Sequence, residues 1–241
     1  IEYIGLNHFA YVTKILDNGV DYLQQALSEG VTGAAMKNIP TSGFTKEQIA
    51  AIGAIPTSYL EYYYFKDSKL EKLKNAERTR GETCMMIEEE LLNIYQNAEL
   101  HVKPEQLSKR GGARYSEVAI NLVNSIWNDV NDIQVVNTLN RGALDFLEDT
   151  DAVEVCAYIG KDGPKPIPCH DFNNDHIKEY IKQVKAYEKH AVKAAIYGSK
   201  EEALRALVMN PLVGDLATAE KCFDEMLEAH KAYLPQFNKE N

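Results

Sequence analysis

The sequence lacks paired cysteines, long apolar runs and a glycine-rich nucleotide fingerprint. Its four cysteines are widely separated and form no CxxC pair, which argues against a zinc ribbon or a disulfide framework and favours a reducing, cytoplasmic compartment. No apolar stretch approaches the roughly 18–20 residues that span a bilayer. The N-terminus has no basic signal-peptide segment, and no GxGxxG motif follows a strand. We therefore expect neither a membrane span nor a dinucleotide-binding domain within this chain.

The bulk composition is that of an ordinary folded protein. The chain has 241 residues, of which 45% are hydrophobic, so it can bury a substantial core in one large or two small domains. Its net charge of −10 disfavours nonspecific binding to nucleic acid or to anionic lipid. An anionic metabolite would need a local cluster of Arg, Lys or backbone N–H groups. Because the first residue is Ile1 rather than Met, we expect the chain to begin inside a longer protein.

The hydrophobic periodicity predicts helices over most of the chain and strands near its middle. Helical periodicity covers about residues 19–28, 68–98, 115–129, 175–197 and 216–234, and Thr45 with Gln48 fits a capping box. Ile133–Val136 and Ala152–Ile159 are rich in β-branched residues, and the prolines of Gly160–Pro168 favour a sheet edge. We predict an α+β fold that is mostly helical, with a central antiparallel sheet.

Two aromatic side chains are candidates for chemistry, although a structural role is the more common one for both. His8 and Asn7 interrupt an apolar segment that we interpret as a buried strand, where two polar side chains need partners. Tyr59 begins the tyrosine-rich run Tyr59–Tyr64, and such clusters usually pack in a core. A tyrosine acts as a base only when a cation or metal lowers its pKa from about 10.

Three polar segments are weaker candidates. Arg78 and Arg80 could form a guanidinium site for phosphate, or Arg78 could simply pair with Glu82 on a helix surface. The basic loop from Lys109 to Ser116 could hold an anion at a helix start, or serve as a connector. The amide of Asn137 could reach a sugar, although a turn is the ordinary use of such a segment.

These segments occur in an order that resembles the C-terminal half of glycoside hydrolase family 4. The matching segments include Gly5-Leu6-Asn7-His8, Ser58-Tyr59-Leu60-Glu61-Tyr62-Tyr63, Thr79-Arg80-Gly81-Glu82, Lys109-Arg110-Gly111-Gly112-Ala113, Val136-Asn137-Thr138-Leu139-Asn140, Asn210-Pro211-Leu212-Val213 and the C-terminal tail. The resemblance covers essentially all 241 residues and is strongest to bacterial 6-phospho-β-glucosidases. It implies a domain like the C-terminal domains of lactate and malate dehydrogenases. Residues 1–241 would then be the substrate-binding, metal-binding and oligomerisation domain, and a Rossmann NAD domain would lie upstream.

The family resemblance also implies an unusual hydrolytic mechanism. The family is an NAD-dependent exception to the two-carboxylate rule of glycosidases. NAD takes hydride from carbon 3 of the sugar, and the ketone acidifies the proton on carbon 2. A base removes that proton, Mn²⁺ polarises the carbon 3 oxygen, and the aglycone leaves by elimination. Water then adds and the hydride returns, so the sequence is oxidation, elimination, addition and reduction.

The resemblance assigns a role to each candidate residue. His8 would be a manganese ligand, with a cysteine partner in the upstream half, and Tyr59 would be the base for the carbon 2 proton. Arg80, Asn7 and Asn137 would bind the substrate, a phosphorylated disaccharide or aryl glucoside. A homodimer or tetramer is expected, and the chain alone should be inactive. The binding sites for NAD and Mn²⁺ would both be completed by the upstream half.

The same segments are also compatible with other functions. The same family includes 6-phospho-α-glucosidases and α-galactosidases, and a non-catalytic assembly or sugar-binding module would carry the same helices and aromatic clusters. The sequence departs from the family pattern at Arg114 and Arg141, which add positive charge near an anionic substrate or lie on a solvated surface. Asn is common in the family at the position of Arg141.

Overall fold

The computed structural model describes residues 1–29, 43–111 and 115–238. In chain order, the strands are β1 Glu2–Leu6, β2 Phe9–Lys14, β3 Leu16–Asp17, β4 Val20–Asp21, β5 Ile55–Pro56, β6 Asp132–Leu139, β7 Ala152–Gly160 and β8 Gly163–Pro166. The α-helices are α1 Leu23–Glu29, α2 Lys46–Ile52, α3 Glu61–Tyr64, α4 Lys66–Lys74, α5 Arg80–Tyr95, α6 Glu105–Arg110, α7 Tyr115–Trp127, α8 Asp175–Tyr197, α9 Lys200–Met209 and α10 Leu216–His230. Short 3₁₀ turns occur at Ser58–Leu60, Lys231–Tyr233 and Pro235–Asn238.

The main sheet is antiparallel and brings together distant parts of the chain. Its strand order is β5-β2-β1-β7-β6, with β8 added to β7. β1 pairs with β2 through a two-residue turn and with β7 through Ile4–Val155 and Gly5–Glu154. The prediction of an α+β fold with a central antiparallel sheet is confirmed. Among the helices of the described residues, none is both long enough and apolar enough to cross a lipid bilayer.

The hydrophobic core lies between one face of this sheet and helix α8. Alternate strand residues, including Ile4, Tyr11 and Val155, meet Ile177 and Ile181 of α8, and all five are fully buried. Burial of each aliphatic side chain contributes about 1.5–3 kcal/mol. A second, smaller cluster around Ala194, Ala203 and Phe223 joins the end of α8 to α9 and α10. The sheet and α8 therefore form the rigid base that carries the β1–β2 turn.

Capping signals in the sequence place several helix ends correctly. Thr45 and Gln48 form the predicted capping box of α2, and Gly198 ends α8 with a φ of 68°. The predicted helix over residues 68–98 is wrong, because α4 ends at Lys74 and α5 starts at Arg80. A second capping box, between Thr79 and Glu82, starts α5 and explains this break.

Two further predictions about the helices need correction. The segment from residue 19 does not begin a helix, because Asn18 and Gly19 form the positive-φ turn between β3 and β4 and α1 starts only at Leu23. Asn-Gly is the usual sequence of such a turn, since both positions need positive φ. The predicted helix over residues 216–234 is too long, because α10 ends at His230 and a 3₁₀ turn follows.

Candidate functional site

The turn between β1 and β2 presents Asn7 and His8 to solvent. Leu6 pairs with Phe9, so Asn7 and His8 are the two residues of the turn, and both are exposed. Asn7 has a φ of 54°, a left-handed conformation that Asn adopts more readily than most residues. The interpretation of this segment as a buried strand is therefore wrong at these two positions, because the strand reverses there. The imidazole is free to face a ligand outside the sheet.

Tyr59 lies beside this turn because of the short 3₁₀ turn Ser58–Leu60. The next residue, Leu60, is completely buried in the core, and this directs Tyr59 outward with 37% of its surface exposed. The rings of His8 and Tyr59 stack, with centroids 4.3 Å apart and planes 22° from parallel. The ring nitrogens and the phenol oxygen lie in the planes of their rings. The two side chains therefore present their polar atoms in nearly parallel planes.

The remaining tyrosines of this region form a packed cluster behind the exposed pair. The hydroxyl of Tyr64 lies 3.0 Å from that of Tyr11 and 2.8 Å from Nε2 of His176. Burial raises the pKa of Tyr11, Tyr63 and Tyr64, and it raises the pKa of Tyr180 to about 12. These hydroxyls stay protonated, so they cannot serve as a base near neutral pH.

Glu61, two residues after Tyr59, anchors the short helical segment that begins at Ser58. Glu61 is 5% exposed, and its carboxylate pairs with Lys69 on α4 and accepts a hydrogen bond from the backbone N–H of Gly43. The ammonium group of Lys69 also lies 5.4 Å from the ring centroid of Tyr62. Sequence reasoning missed Glu61 and Lys69. A Glu inside an aromatic run, which must find a partner if buried, was the available signal.

Asn137 lies on the sheet two strands away from the turn. It pairs with Glu154 on β7, and Glu154 pairs in turn with Gly5 on β1. At about 4.8 Å per strand, the backbones of Asn137 and Gly5 are roughly 10 Å apart. The amide of Asn137 donates to Glu154 at 3.5 Å. Burial raises the pKa of Glu154, while hydrogen bonds from Tyr3 and Asn137 act in the opposite direction.

Arg80 is directed toward helix α6. Its Nη2 donates to the carbonyl oxygens of Lys109 at 3.1 Å and of Arg110 at 2.9 Å, so it satisfies the C-terminal end of α6. A guanidinium has five N–H donors, and these bonds use only those of Nη2. Arg78 pairs with Glu77 at 3.4 Å rather than with Glu82, which caps α5 instead. The predicted anion loop lies partly outside the described residues, as does Arg114.

Asn140, the last residue of the segment Val136-Asn137-Thr138-Leu139-Asn140, has a structural role. It is fully buried, its amide nitrogen donates to the carbonyls of Leu144 and Leu147, and its oxygen accepts from the N–H of Leu144. Turn use is thus confirmed for Asn140. Arg141 follows with a φ of 45°, a conformation that Asn tolerates better than Arg.

The side chains present fit a contribution to a metal site. Within residues 1–29, 43–111 and 115–238, no group of three or more His, Cys, Asp or Glu side chains could hold a metal ion. The exposed imidazole of His8 is a suitable single ligand, since imidazole nitrogen suits divalent transition metals. Further ligands would have to come from outside the described residues.

Comparison with known proteins identifies the family of this chain. A family model described as the family 4 glycosyl hydrolase C-terminal domain matches residues 3–213. A probable 6-phospho-beta-glucosidase of Bacillus subtilis is 40% identical over 98% of this chain and 55% of its own length. A 6-phospho-beta-glucosidase of Escherichia coli is 33% identical over 98% of this chain and 54% of its own length. The chain therefore spans about half the length of these curated relatives.

A solved structure gives the same result for the fold. The 6-phospho-beta glucosidase of Thermotoga maritima, with NAD and glucose-6-phosphate, superimposes with a TM-score of 0.84 at 29% identity. The match covers 97% of this chain and 55% of that protein. The same enzyme has also been solved with manganese, NAD⁺ and glucose-6-phosphate. The chain belongs to the C-terminal domain family of the family 4 glycosyl hydrolases.

Proposed function

We propose that this chain is the C-terminal half of a 6-phospho-β-glucosidase that depends on NAD and manganese. The observation that carries the proposal is the stack of His8 on Tyr59, which joins an imidazole that would bind the metal and a phenol 51 positions apart at one exposed edge. Relatives that match 97–98% of the chain support the substrate class, since they are named as 6-phospho-beta-glucosidases. The reaction would be oxidation, elimination, addition and reduction.

Tyr59 is the base in this proposal. Its ionised phenol oxygen would accept the proton from carbon 2 of the sugar, and its exposed ring leaves room for a substrate beside the β1–β2 turn. A divalent cation near a phenol favours the ionised form. The buried tyrosines behind it are unsuitable, because burial raises their pKa. Stacking on His8 would hold the phenol in a fixed direction during proton transfer.

His8 would hold the metal together with ligands from the upstream half. When bound, Mn²⁺ supplies Lewis-acid polarisation of the carbon 3 oxygen, and NAD supplies a hydride acceptor. Within this chain, the imidazole of His8 would hold the metal beside the ring of Tyr59. A ring nitrogen can bind the metal from the exposed turn without any change in the sheet.

Asn7, Asn137 and Arg80 would bind the sugar or its phosphate. Asn7 is adjacent to His8 and exposed, so its amide can reach a sugar hydroxyl beside the metal. Asn137 is exposed on the neighbouring part of the sheet, and its amide donates a hydrogen bond to Glu154. Arg80 has three donors beyond those on Nη2, and a planar guanidinium suits phosphate oxygens. Arg78 is a weaker candidate because it faces Glu77.

Residues 1–241 would form one domain of the enzyme, and a Rossmann NAD domain upstream would complete the protein. The whole protein would assemble as a homodimer or tetramer. Helix α7 supports an interface, because apolar residues around it are strongly exposed, including Tyr115 at 74% and Trp127 at 85%. Isolated apolar residues are normal on surfaces, but such a concentration on one helix favours a protein contact. The four cysteines are free thiols, which suits a reducing cytoplasm.

The β-anomer is favoured over the alternatives by similarity alone. The relatives named as 6-phospho-beta-glucosidases are 31–40% identical, whereas a phospho-alpha-glucosidase of Clostridium acetobutylicum is 28% identical. A 6-phospho-α-glucosidase or an α-galactosidase remains the second candidate.

The proposal is tested by mixing this chain with its upstream half and measuring cleavage of an aryl 6-phospho-β-glucoside. Activity should require both halves, NAD and Mn²⁺, and a chelator should abolish it. The matching α-anomer and the unphosphorylated glucoside should be poor substrates. Cleavage without NAD or metal would refute the mechanism, and better cleavage of the α-anomer would refute the assigned sugar.

A further inference from the structure

Thr57 links the turn that carries His8 to the segment that carries Tyr59. Its hydroxyl donates to the backbone carbonyl oxygen of His8 at 2.8 Å, across 49 positions of sequence. Its backbone N–H donates to the carbonyl of Ala10 at 3.0 Å. One residue therefore contacts both the turn and the strand that follows it, only two positions before Tyr59.

The hydroxyl of Thr57 does not cap the 3₁₀ turn that follows it. Thr57 precedes the 3₁₀ turn Ser58–Leu60 in an extended conformation, with φ −64° and ψ 154°, which is the geometry of a helix N-cap. A threonine there normally accepts a hydrogen bond from a backbone N–H two or three residues later. Thr57 makes no such side-chain bond. The hydroxyl instead serves the turn of the neighbouring hairpin.

The turn needs such a tether because it is exposed and conformationally strained. Asn7 has a positive φ, and both Asn7 and His8 are exposed to solvent. Tyr59 is also partly exposed, so packing alone restricts neither ring. A hydrogen bond to the His8 carbonyl fixes the peptide from which the imidazole projects. The register between β2 and β5, in which Tyr11 pairs with Pro56, holds the rest of the segment.

We infer that Thr57 is a positioning residue that holds the imidazole of His8 against the ring of Tyr59. Without its hydroxyl, the turn remains closed by the β1–β2 pairing, but the His8 peptide is released from the Tyr59 segment. The catalytic consequence rests on the function proposed above. The effect on the ring stack does not, since it concerns only the geometry of this chain.

The structural test compares Thr57→Val with Thr57→Ser in this 241-residue chain. Valine keeps the β-branched shape and the backbone N–H but removes the hydroxyl, whereas serine keeps the hydroxyl. Proton NMR should show cross-peaks between the rings of His8 and Tyr59 and a ring-current shift of the imidazole protons. We expect both signals to be lost in Thr57→Val and kept in Thr57→Ser. Thr57→Ala serves as a second hydroxyl-free variant, and backbone amide spectra show whether each variant folds.

A functional test uses the two halves together and Mn²⁺ as the titrant. Thr57→Val should weaken the apparent Mn²⁺ affinity by about tenfold, the lower range for residues that orient a metal ligand, and Thr57→Ser should restore it. Retained ring contacts in folded Thr57→Val or Thr57→Ala would overturn the inference, as would their loss in Thr57→Ser. If the wild-type halves show no glycosidase activity, the proposed function fails while the NMR result still decides the role of Thr57.

Discussion

The carboxylate of Glu61 pairs with the ammonium group of Lys69 on the core side of the segment that exposes Tyr59. Glu61 is almost completely buried, and the backbone N–H of Gly43 also donates to it. Tyr59 and Glu61 are two positions apart and have opposite environments, one exposed and the other buried. The ion pair therefore fixes helix α3 against α4 while Tyr59 remains accessible.

Removal of one member of this pair should destabilise the fold. Lys69→Met leaves the buried Glu61 carboxylate without its cation, which costs about 3–5 kcal/mol for a buried pair. Urea unfolding should show this loss in the free energy of unfolding. Lys74→Met is the matched control, because Lys74 pairs with Glu71 at 3.3 Å on an exposed surface, where such pairs contribute about 0–1 kcal/mol. Equal effects of the two substitutions would contradict the structural role of Glu61.

Tyr59→Phe tests the proposed base directly. Phenylalanine keeps the ring that stacks on His8 but has no phenol oxygen to accept a proton. Since positioned acid–base groups contribute about 10²–10⁴-fold, kcat of the two-domain protein should fall by that factor. Tyr62→Phe is the control, because Tyr62 is exposed to a similar degree and contacts Lys69 instead of His8. Unchanged turnover in Tyr59→Phe would favour a non-catalytic module.

Asn7 has a positive φ and is also a proposed substrate contact. Two substitutions separate its backbone role from its role in substrate binding. Glycine accepts a positive φ without steric cost, whereas alanine in the left-handed region costs about 1–2 kcal/mol. Asn7→Gly should therefore retain stability, and Asn7→Ala should lose about 1 kcal/mol in urea unfolding. Both variants remove the amide, so both should lower kcat/KM for the phosphorylated glucoside.

A control for Asn7 exists at the other asparagine turn. Asn18 has a φ of 49° between β3 and β4, and so has the same backbone requirement. Asn18→Gly should leave both stability and kcat/KM close to those of the wild type. If Asn7→Gly also retained full activity, the amide of Asn7 would have no role in substrate binding.

The sequence predicted those elements whose signals are local. The long helix α8 and the capping box of α2 follow from periodicity and from residues three apart, and both agree with the structure. The break before α5 had an equally local signal in Thr79 and Glu82, but the predicted helix was extended across it from residue 68 to residue 98. Helix propensity alone does not reveal such a break, because capping decides where a helix begins.

Contacts between distant residues could not be read from the sequence. The resemblance gave His8 and Tyr59 roles in one reaction, but their stacking depends on the pairing of β5 with β2 and of β1 with β2. The hydrogen bond from Thr57 to the His8 carbonyl spans 49 positions and has no sequence pattern. The exposure of Asn7 and His8 depends on strand ends, which are poorly defined in sequence.

The pH dependence of stability should reflect an ion network between α8 and α9. Oε2 of Glu202 lies 2.6 Å from Nδ1 of His190, and Arg205 donates to Oε1 of Glu202 at 2.5 Å. The hydrogen bond with His190 and the contact with Arg205 lower the pKa of Glu202 below its ordinary value of 4.5. A carboxylate whose folded pKa is depressed stabilises the fold above the unfolded value. This contribution is lost as the pH falls through the folded pKa.

Glu202→Gln should therefore reduce the acid-induced loss of stability. Urea unfolding at several pH values between about 6 and 3 should give a shallower decline in the variant than in the wild type, because glutamine does not titrate. Glu225→Gln provides the control, since Glu225 faces Lys221 at 4.0 Å and both side chains are exposed. A Glu202→Gln curve parallel to the wild-type curve throughout this range would show that the contacts of Glu202 with His190 and Arg205 do not contribute to acid stability.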